Sequence, residues 1–437
     1  MKIFRYAIAL FICLITIIFL AKPAWAFCGF YVAKADKALY NQASQVIIAR
    51  DRDRTVLTIA NDYQGDVKDF AIVVPVPVIL EQSQVQVGNP KILERLDEFS
   101  APRLVEYFDE NPCGFSLQPE EMMRQTRGAP SPASSVSQQN SALGVTVEKQ
   151  FTVGEYDIVI LSAKESDGLE TWLKQNNYKI PQGASQLLQP YIREGMKFFV
   201  AKVNLEEYVN TKFQSLRPLM MAYESPKFKL PIRLGMVNAK NTQDLIVYLL
   251  SPQGQAELTN YRTVKVPSDI EIPEFVRQDF NNFYQSMFKT SYEKTGKKVA
   301  FLEYAWDMGN CDPCSAQPLN IDELRQAGVF WLDSSQLSNI FITRLHLRYT
   351  RDKFPEDLQF QETVNRQSFQ GRYIIRHPFQ EEVSCKEAQS YYNSVKERQE
   401  NEAQTLAKLT GWNLDNIRSK INFISTKSNE WWRGFGR

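Results

Sequence analysis

The amino-acid sequence predicts an α+β protein with mostly antiparallel sheets, interspersed helices and a long C-terminal helix. Two alternating apolar segments, 45–50 and 54–60, flank the polar turn Asp51-Arg52-Asp53, which is typical of a β-hairpin. Ser384-Cys385-Lys386-Glu387 is a capping box, and an apolar stripe with helical spacing follows it to about residue 409. Strand and helix patterns alternate between these two regions, and no repeat that would indicate a solenoid is present. This order of patterns favours the α+β class.

Residues 1–26 have the three parts of a cleavable signal peptide. Two basic residues precede the apolar run 7–21, and the small residues of Ala24-Trp25-Ala26 follow it. We therefore predict cleavage between Ala26 and Phe27 and export of the mature chain to the periplasm or the extracellular space. The run is shorter than the roughly 20 residues that a membrane-spanning helix requires, and an uncleaved N-terminal anchor is the alternative.

The composition of the mature chain excludes some classes of protein. Removal of residues 1–26 would leave 411 of the 437 residues and change the formal net charge from +1 to −2, which offers no basic footprint for nucleic acid. A hydrophobic content of 43% is ordinary for a packed protein, and this length predicts two or more domains. The most apolar stretch after the signal, 70–80, is short and contains two prolines, so we expect no transmembrane segment in the mature chain.

The first predicted region of the mature chain, residues 27–127, has an α+β pattern. After the hairpin, Pro75 and Pro77 interrupt an apolar run. Their missing N–H groups lie on the same edge, which indicates an edge strand or an extended segment beside one. Asn89 and Pro90 predict the start of a helix, with the asparagine as N-cap and the proline at the first helical position.

Residues 128–144, GAPSPASSVSQQNSALG, are small and polar and contain two prolines, which predicts a flexible linker. We expect the α+β body at 145–383, and the C-terminal helix with an aromatic tail at 384–437. Apolar patterns predict strands of the body at 145–153, 156–162, 198–203, 245–250 and 341–350. Helical patterns predict helices at 169–177 and 275–292.

Five cysteines remain after removal of the signal, and an oxidising compartment makes disulfides the expected state. Cys28 and Cys113 bracket the N-terminal region, and we pair them. For Cys311 and Cys314 we expect a structural disulfide within their loop or from it. Cys385 then remains as a free thiol, or it pairs with another loop cysteine and ties the terminal helix to the body. Sequence alone does not fix the connectivity.

The motif Cys311-Asp312-Pro313-Cys314 also allows a redox-active pair. Thiol activation in such pairs relies on a helix N-terminus beside the first cysteine. Here Pro318 follows, and Asn320 and Glu323 predict that the next helix begins later, which favours the structural disulfide. A zinc site would require two further ligands, and the chain has no second C-x-x-C and no H-x-x-H motif, so we expect no metal and no cofactor.

Histidine is scarce, since His346 and His377 are the only two in the chain. A Ser/His/Asp or Cys/His catalytic arrangement would have to use one of them. Strand alternation places Arg344, His346 and Arg348 on one face, which predicts either a candidate anion-binding face or a solvated sheet face. No G-x-S-x-G, P-loop, Rossmann or zincin motif is present, so no catalytic residue is assigned.

Several segments carry a resemblance to a known family: CGFYVAK at 28–34, ANDY at 60–63, FAIVVPVP at 70–77, VGEYD at 153–157, WLKQN at 172–176, TRLHLRY at 343–349, FPED at 354–357 and FQGRYIIRHP at 369–378. Together they resemble the bacterial exported family catalogued as Domain of Unknown Function 2330. The resemblance covers roughly residues 27–395. It implies an exported bacterial protein with no assigned activity, and it transfers no catalytic residue.

These features favour a non-enzymatic exported envelope protein that binds or scaffolds an unknown envelope partner or ligand. One alternative is a thiol–disulfide redox protein that uses Cys311 and Cys314, with Cys385 as a third thiol. A second alternative is a hydrolase that combines carboxylates with His346. An enzymatic role is left open by the residues alone.

Overall fold

The computed structural model describes residues 30–33, 40–64, 70–113, 145–176, 184–210, 216–237, 242–310, 316–332, 340–381 and 385–424. Some predicted features lie outside these residues: the signal peptide with its cleavage site at Ala26 and Phe27, Cys28, the linker 128–144, the pair Cys311 and Cys314, and the aromatic tail.

The strands are β1 (Phe30–Ala33), β2 (Tyr40–Asp51), β3 (Arg54–Gln64), β4 (Phe70–Val76), β5 (Val85–Val87), β6 (Arg103–Phe108), β7 (Val145–Val153), β8 (Tyr156–Ala163), β9 (Lys197–Val203), β10 (Leu219–Glu224), β11 (Lys229–Leu230), β12 (Gln243–Ser251), β13 (Ala256–Leu258), β14 (Arg262–Lys265), β15 (Ile270–Glu271), β16 (Val299–Asp307), β17 (Phe341–Tyr349), β18 (Leu358–Glu362), β19 (Phe369–Gln370) and β20 (Arg372–His377). The α-helices are α1 (Pro90–Ser100), α2 (Ser166–Gln175), α3 (Ala184–Arg193), α4 (Leu205–Asn210), α5 (Phe280–Lys294), α6 (Ile321–Gln326), α7 (Ala388–Thr410) and α8 (Leu414–Arg418). Short 3-10 helices occupy Gln82–Gln84, Arg233–Val237 and Glu274–Asp279.

Within the described residues, the strands form two large sheets and two small ones. The largest sheet has nine strands, in the order β14-β16-β17-β12-β2-β3-β10-β5, with β19 also paired to β16. The second has five strands, in the order β1-β4-β9-β8-β7, and the small sheets are β11-β18-β13 and β15-β20-β6. The parallel neighbours are β2 with β12, β14 with β16, and β20 with both β15 and β6. The predicted α+β class with mostly antiparallel sheets is confirmed.

The hairpin predicted at 45–60 is confirmed as β2 and β3. Side chains of β2 are buried on both faces of the nine-stranded sheet. Val46 and Ile48 belong to the core between the two large sheets, and Ile47 and Ala49 belong to the core beneath the helices. A strand in this position has no solvated face, which explains its nearly continuous apolar sequence.

The large sheets and the helices form layers. The two large sheets pack face to face, and buried apolar side chains from both form the main core. Helices α1 and α6 cover part of the outer face of the nine-stranded sheet, and α5 covers an adjoining part. Helices α2 and α3 cover the outer face of the five-stranded sheet. The order of layers is therefore helix, sheet, sheet, helix.

Of the two predictions for the apolar run that contains Pro75 and Pro77, the edge strand is wrong, and the extended segment beside an edge strand is confirmed. Strand β4 lies between β1 and β9. Its pairing with β1 ends at Val73, so Pro75 lies beyond the reach of β1 and pairs only with Phe198 of β9. The missing N–H of Pro75 is therefore tolerated because β1 is short.

The strands on either side of the predicted linker share sheets. In the nine-stranded sheet, β2 and β3 lie between β12 and β10, and in the five-stranded sheet β4 lies beside β9. The regions 27–127 and 145–383 therefore do not form separate sheets. The composition of 128–144 gave no indication of these long-range strand pairings, because pairing is not a local property of the sequence.

The predicted long C-terminal helix is confirmed as α7. Its C-cap residue is Gly411, which has a φ of 75°. Its start differs from the prediction, because Glu387 occupies the N-cap position without a side-chain capping bond, and Cys385 precedes the helix. Helix α7 packs against α5, α8 and the small sheet that contains β20. None of the helices in the described ranges has the length and apolar character that crossing a membrane requires.

Candidate functional site

The predicted basic face of β17 is present, but it is buried rather than solvated. Arg344 is 4% exposed and His346 is 8% exposed. Helix α5 covers the face, and its Phe288 ring stacks on the His346 imidazole with centroids 4.0 Å apart. Helix α1 approaches from the other side, where Asp97 Oδ1 lies 2.7 Å from Arg344 Nη1. The expectation of a solvated sheet face is wrong because two helices remote in sequence pack over it.

Glu303 on β16 holds two of the basic side chains of this face. Its carboxylate accepts a hydrogen bond from Arg344 Nε at 2.7 Å and lies 2.7 Å from His346 Nδ1. The hydroxyl of Tyr284 on α5 also donates to it. Burial by itself would raise the pKa of Glu303, but the charges of His346 and Arg344 lower that pKa to about 2. The carboxylate is therefore ionised and fully occupied.

A β-bulge directs Glu303 towards these partners. The pairing register of β16 with β17 shifts between Leu302 and Tyr304. Leu302 packs in the core between the sheets, whereas Tyr304 packs in the core beneath the helices, on the side where Glu303 meets Tyr284. The bulge thus places two consecutive residues on the helix-covered face.

Asp244 on β12 completes the charge balance. Its carboxylate accepts hydrogen bonds from Arg348 Nε at 2.7 Å and Nη2 at 2.6 Å, and it lies 3.7 Å from His346 Nε2. Burial would lower the pKa of His346, but Glu303 and Asp244 raise it to about 9, so the imidazole is a cation at neutral pH. We call the following six side chains the buried charge network: Asp97, Asp244, Glu303, Arg344, His346 and Arg348. Three anions face three cations, which favours a structural role and leaves no surplus positive charge for an external anion.

The second histidine, His377, also lies against a carboxylate. It ends β20, is 7% exposed, and its Nε2 lies 2.7 Å from Glu106 Oε2. The Phe108 ring stacks on the imidazole with centroids 4.5 Å apart. The structure places no described serine or cysteine nucleophile in hydrogen-bond contact with either imidazole.

Within the part of the chain that the structure describes, a disulfide joins Cys113 to Cys385. This corrects the predicted pairing of Cys113 with Cys28 and the alternative of a free thiol at Cys385. The physical reason is the parallel pairing of β6 with β20, because both chains leave the small sheet at the same end. Cys113 follows β6 and Cys385 follows β20, so the two cysteines meet there. The bond ties the start of α7 to the region after β6.

A groove that the sequence did not predict lies between α7 and β15. We call it the C-terminal groove, a cavity of about 510 Å³ that is open to solvent. Its lining consists of Asp269, Ile270, Glu271, Ser394, Glu397, Arg398, Asn401, Glu402 and Thr405. The residues from α7 recur at helical spacing, so a single face of that helix forms one wall.

Glu402 is the most unusual side chain of the groove. It is 6% exposed, and its Oε1 accepts no hydrogen bond from the part of the chain that the structure describes. Among the described residues the nearest cation is Arg398, whose Nε lies 3.6 Å from Glu402 Oε1 and is itself a buried donor without a hydrogen bond. The Nη1 and Nη2 atoms of Arg398 donate to Asp109 at 3.2 and 2.8 Å. Burial raises the pKa of Glu402 to about 7, and Glu271 and Asp109 add to the rise while Arg398 opposes it.

Glu402 lies farther from its arginine partner than the other buried carboxylates do. The buried carboxylates among the described residues are Glu155, Asp244, Glu303, Asp357 and Glu402. Each of the first four has an arginine nitrogen within 2.7 Å. Glu402 is the exception, at 3.6 Å. Buried carboxylates normally have hydrogen-bond donors, and Glu402 is the one in this set whose arginine partner lies beyond hydrogen-bond distance.

The remaining carboxylates of the groove divide into paired and unpaired ones. Asp269 accepts a hydrogen bond from Arg372 Nε at 2.7 Å, and Glu271 accepts one from Arg376 Nε at 2.9 Å. Glu397 is exposed and has no ion-pair partner in the described ranges. The wall of α7 also presents the polar side chains of Ser394, Asn401 and Thr405. The arrangement suits a cationic ligand that also accepts or donates hydrogen bonds.

One signal in the sequence pointed to Glu402. The apolar stripe predicted for the C-terminal helix includes Val395, Ala403 and Leu406, and it is interrupted at the positions of Gln399 and Glu402. Both of these polar residues are buried. An acidic residue on the buried stripe of a helix is therefore the feature that a sequence analysis could have singled out. The residues of β15 that lie near Glu402 could not be inferred, because they come more than a hundred residues earlier in the chain.

A comparison with protein families gives one match. The model of a family described as "Uncharacterized protein conserved in bacteria (DUF2330)" matches residues 22–361. The whole buried charge network lies within the matched range, whereas α7 lies after it. No curated protein and no solved structure matches the chain. Within the described residues, no group of three or more histidine, cysteine or acidic side chains is placed to hold a metal ion.

Proposed function

The chain belongs to the DUF2330 family of uncharacterized bacterial proteins, and from that premise we propose that it is an exported, non-enzymatic envelope protein that binds a small polar ligand in the C-terminal groove. The observation that carries the proposal is the carboxylate of Glu402, which is buried beside the cavity and has an oxygen without a hydrogen bond. A bound ligand would supply a closer donor than Arg398 Nε, which lies 3.6 Å from that oxygen.

Export is supported by two independent features. Residues 1–26 have the charge, apolar run and small residues of a cleavable signal. The disulfide between Cys113 and Cys385 is typical of proteins that fold in an oxidising compartment such as the periplasm.

Binding is favoured over hydrolysis because of where His346 lies. Its imidazole is covered by Phe288 and held by Glu303, so a substrate could reach it only after α5 had moved away. A hydrolase requires its base within hydrogen-bond reach of the substrate or of a water molecule. The C-terminal groove, by contrast, is open to solvent, and Ser394, Glu397 and Asn401 on its wall are exposed.

The thiol–disulfide alternative loses its third thiol. Cys385 is bonded to Cys113 and is not available for exchange with Cys311 and Cys314, which lie outside the described residues. Alkylation of the exported protein without reductant, followed by peptide mapping, tests the alternative. Modification of Cys311 and Cys314 after mild reduction, at a potential that leaves Cys113–Cys385 intact, would favour the redox protein over the binding protein.

A thermal-shift screen with a groove-blocking variant tests the binding proposal. The exported protein is screened against a chemically diverse panel of small polar compounds, beside Asn401→Trp, which places an indole in the groove. Ser390→Trp, at an exposed position earlier on α7, is the matched control. We expect at least one compound to raise the melting temperature of the native protein and of Ser390→Trp but not of Asn401→Trp. A panel in which every stabilising compound also stabilises Asn401→Trp would refute the groove as the site.

A further inference from the structure

We propose that the chain has a second ligand site, a pocket at the end of β4 that binds a small aromatic monocarboxylic acid. This inference is independent of the C-terminal groove, since the two cavities share no lining residue. The cavity has a volume of about 180 Å³. We call it the proline pocket after its apolar wall, which consists of Pro75, Pro77, Pro226, Pro231, Met196 and Tyr223.

The sequence of β4 explains why a pocket forms at this end of the five-stranded sheet. The described pairing of β1 with β4 ends at Val73, and Pro75 and Pro77 come after it. A proline nitrogen has no hydrogen to donate, so a strand that continued this pairing would lose backbone hydrogen bonds. The prolines of the segment FAIVVPVP therefore disfavour a longer sheet here, and their rings line a cavity instead.

The wall of the pocket suits one planar ring. Prolyl rings are rigid, so binding requires little loss of side-chain freedom in the protein. Tyr223 is 7% exposed, and an aromatic ligand gains an offset-stacked or edge-to-face contact with such a ring. Pockets for drug-sized ligands measure roughly 300–1,000 Å³, and this cavity is smaller, which limits the ligand to about one ring.

The rim of the pocket carries one surplus positive charge. Lys229 Nζ donates to both carboxylate oxygens of Glu194, at 2.8 and 2.9 Å, so these two side chains compensate each other. Asp357, which also lies near Lys229, is held by Arg233 at 2.7 Å. Lys227 is the remaining cation of the rim, and its side chain is 68% exposed.

Lys227 has donors available for a ligand. Its ammonium group has three N–H donors, and among the described residues it makes one side-chain hydrogen bond, of 3.4 Å, to Glu194. A carboxylate on a short linker could accept from Lys227 while the ring lies between the prolines. A single negative charge balances the surplus, whereas a cationic ligand would meet the two lysines of the rim.

Four probes with one ring each test the ligand class. Isothermal titration calorimetry of the exported protein at pH 7 compares phenylacetate with cyclohexylacetate, 2-phenylethanol and 2-phenylethylamine. We expect phenylacetate to bind with a Kd of about 1 mM or lower. Cyclohexylacetate should bind about threefold more weakly because it has no π face. The alcohol and the amine should bind at least about tenfold more weakly because they carry no carboxylate.

Variants test the two parts of the pocket. Lys227→Gln should weaken phenylacetate binding about tenfold, to the level of 2-phenylethanol, and Lys227→Arg should retain the binding. Lys91→Gln, which removes an exposed lysine of α1 outside the pocket, is the matched control and should bind as the native protein does. Pro226→Trp, at an exposed position of the wall, places an indole in the pocket and should abolish binding.

The outcomes separate this site from the C-terminal groove. Absence of phenylacetate binding up to about 10 mM, or equal binding of phenylacetate and 2-phenylethylamine, overturns the ligand class. Native-like binding by Pro226→Trp or by Lys227→Gln overturns the proline pocket as the site. Asn401→Trp, which blocks the C-terminal groove, should bind phenylacetate as the native protein does. Loss of phenylacetate binding in Asn401→Trp would place the acid in the C-terminal groove and contradict the proposal.

Discussion

Two buried glutamates, Glu303 in the charge network and Glu402 in the C-terminal groove, have opposite electrostatic properties. Both are at most 6% exposed, so both have lost nearly all contact with water. The pKa of Glu303 is nevertheless lowered to about 2, and that of Glu402 is raised to about 7. Burial acts in the same direction on both, and the difference lies in the donors around them.

Those donors explain why one region has a structural role and the other can bind a ligand. Glu303 receives hydrogen bonds from Arg344 and Tyr284 and lies beside the cationic His346. The described cation nearest to Glu402 is Arg398, which donates to Asp109 through Nη2 and keeps its Nε 3.6 Å from Glu402. A satisfied buried charge fixes the packing around it, whereas an unsatisfied one destabilises the fold until a ligand or a proton arrives.

The largest expected effect of a single substitution is on the charge network. Glu303→Gln should lower the free energy of unfolding by about 3–5 kcal/mol, because it leaves Arg344 and His346 as buried cations without their main anion. Urea denaturation at pH 7 measures the change. The same substitution at Glu402 is the matched control and should cause no loss. A loss below about 1 kcal/mol for Glu303→Gln would mean that the network does not stabilise the fold.

The next largest effect is expected from the disulfide, which tests whether the two regions unfold together. Replacement of Cys113 and Cys385 by serine should lower the free energy of unfolding by about 2–4 kcal/mol, because the bond closes a sequence separation of 272 residues. Hydrogen exchange should show the loss of protection first in α7. Equal and simultaneous loss in β16 and β17 would contradict a separate, less stable groove region.

A smaller effect is expected from pH acting on the network. The pKa of His346 is raised from 6.5 to about 9, so its stabilisation is complete below pH 6.5 and is lost as the pH rises through 9. The pKa of Glu303 is lowered from 4.5 to about 2, so its stabilisation is present above pH 4.5 and is lost as the pH falls through 2.

Unfolding free energies measured between pH 6.5 and 9.5 test the alkaline part of this dependence. We expect a fall of about 1–3 kcal/mol in the native protein and a flatter profile in His346→Gln. Parallel profiles for the two proteins would show that His346 does not hold its proton in the folded state. Glu293→Gln, which removes an exposed carboxylate that is not part of the network, should follow the native profile.

The difference between the two regions also explains what the sequence could predict. Alternation in β17 correctly placed Arg344, His346 and Arg348 on one face, because strand periodicity is local. The acidic partners were not predictable, since they come from elements remote in the chain and Glu303 depends on a bulge. Periodicity therefore predicted which residues share one face of β17, but it did not predict that this face is buried.

For the helices too, the sequence predicted local features but not contacts with distant parts of the chain. Asn89 and Pro90 start α1 as predicted, and Asn320 and Glu323 form the predicted capping box of α6, because capping involves residues within one turn. The capping box predicted for α7 is not formed at Glu387, which occupies the N-cap position without a side-chain capping bond. The groove could not be predicted from the sequence, because its two walls are separated by more than a hundred residues along the chain.

The smallest expected effect is a gain in stability at Glu402, opposite in sign to the loss at Glu303. Its pKa is raised from 4.5 to about 7 by burial, with Glu271 and Asp109 adding to the rise, and Arg398 and Arg376 opposing it. The unfolded chain therefore releases this proton before the folded chain does. The resulting cost is absent below pH 4.5, grows up to pH 7 and is constant above it.

Glu402→Gln removes this cost, because the amide keeps the shape of the side chain and carries no charge. It should raise the free energy of unfolding by about 1–2 kcal/mol at pH 8 and leave it unchanged at pH 4.5. Urea denaturation at the two pH values measures the difference, and Glu397→Gln, an exposed carboxylate of the same groove, should show no such dependence. A stabilisation by Glu402→Gln that is equal at both pH values would trace the gain to packing rather than to charge. A gain confined to pH 8 would mean that the protein retains a destabilising ionised carboxylate at the groove.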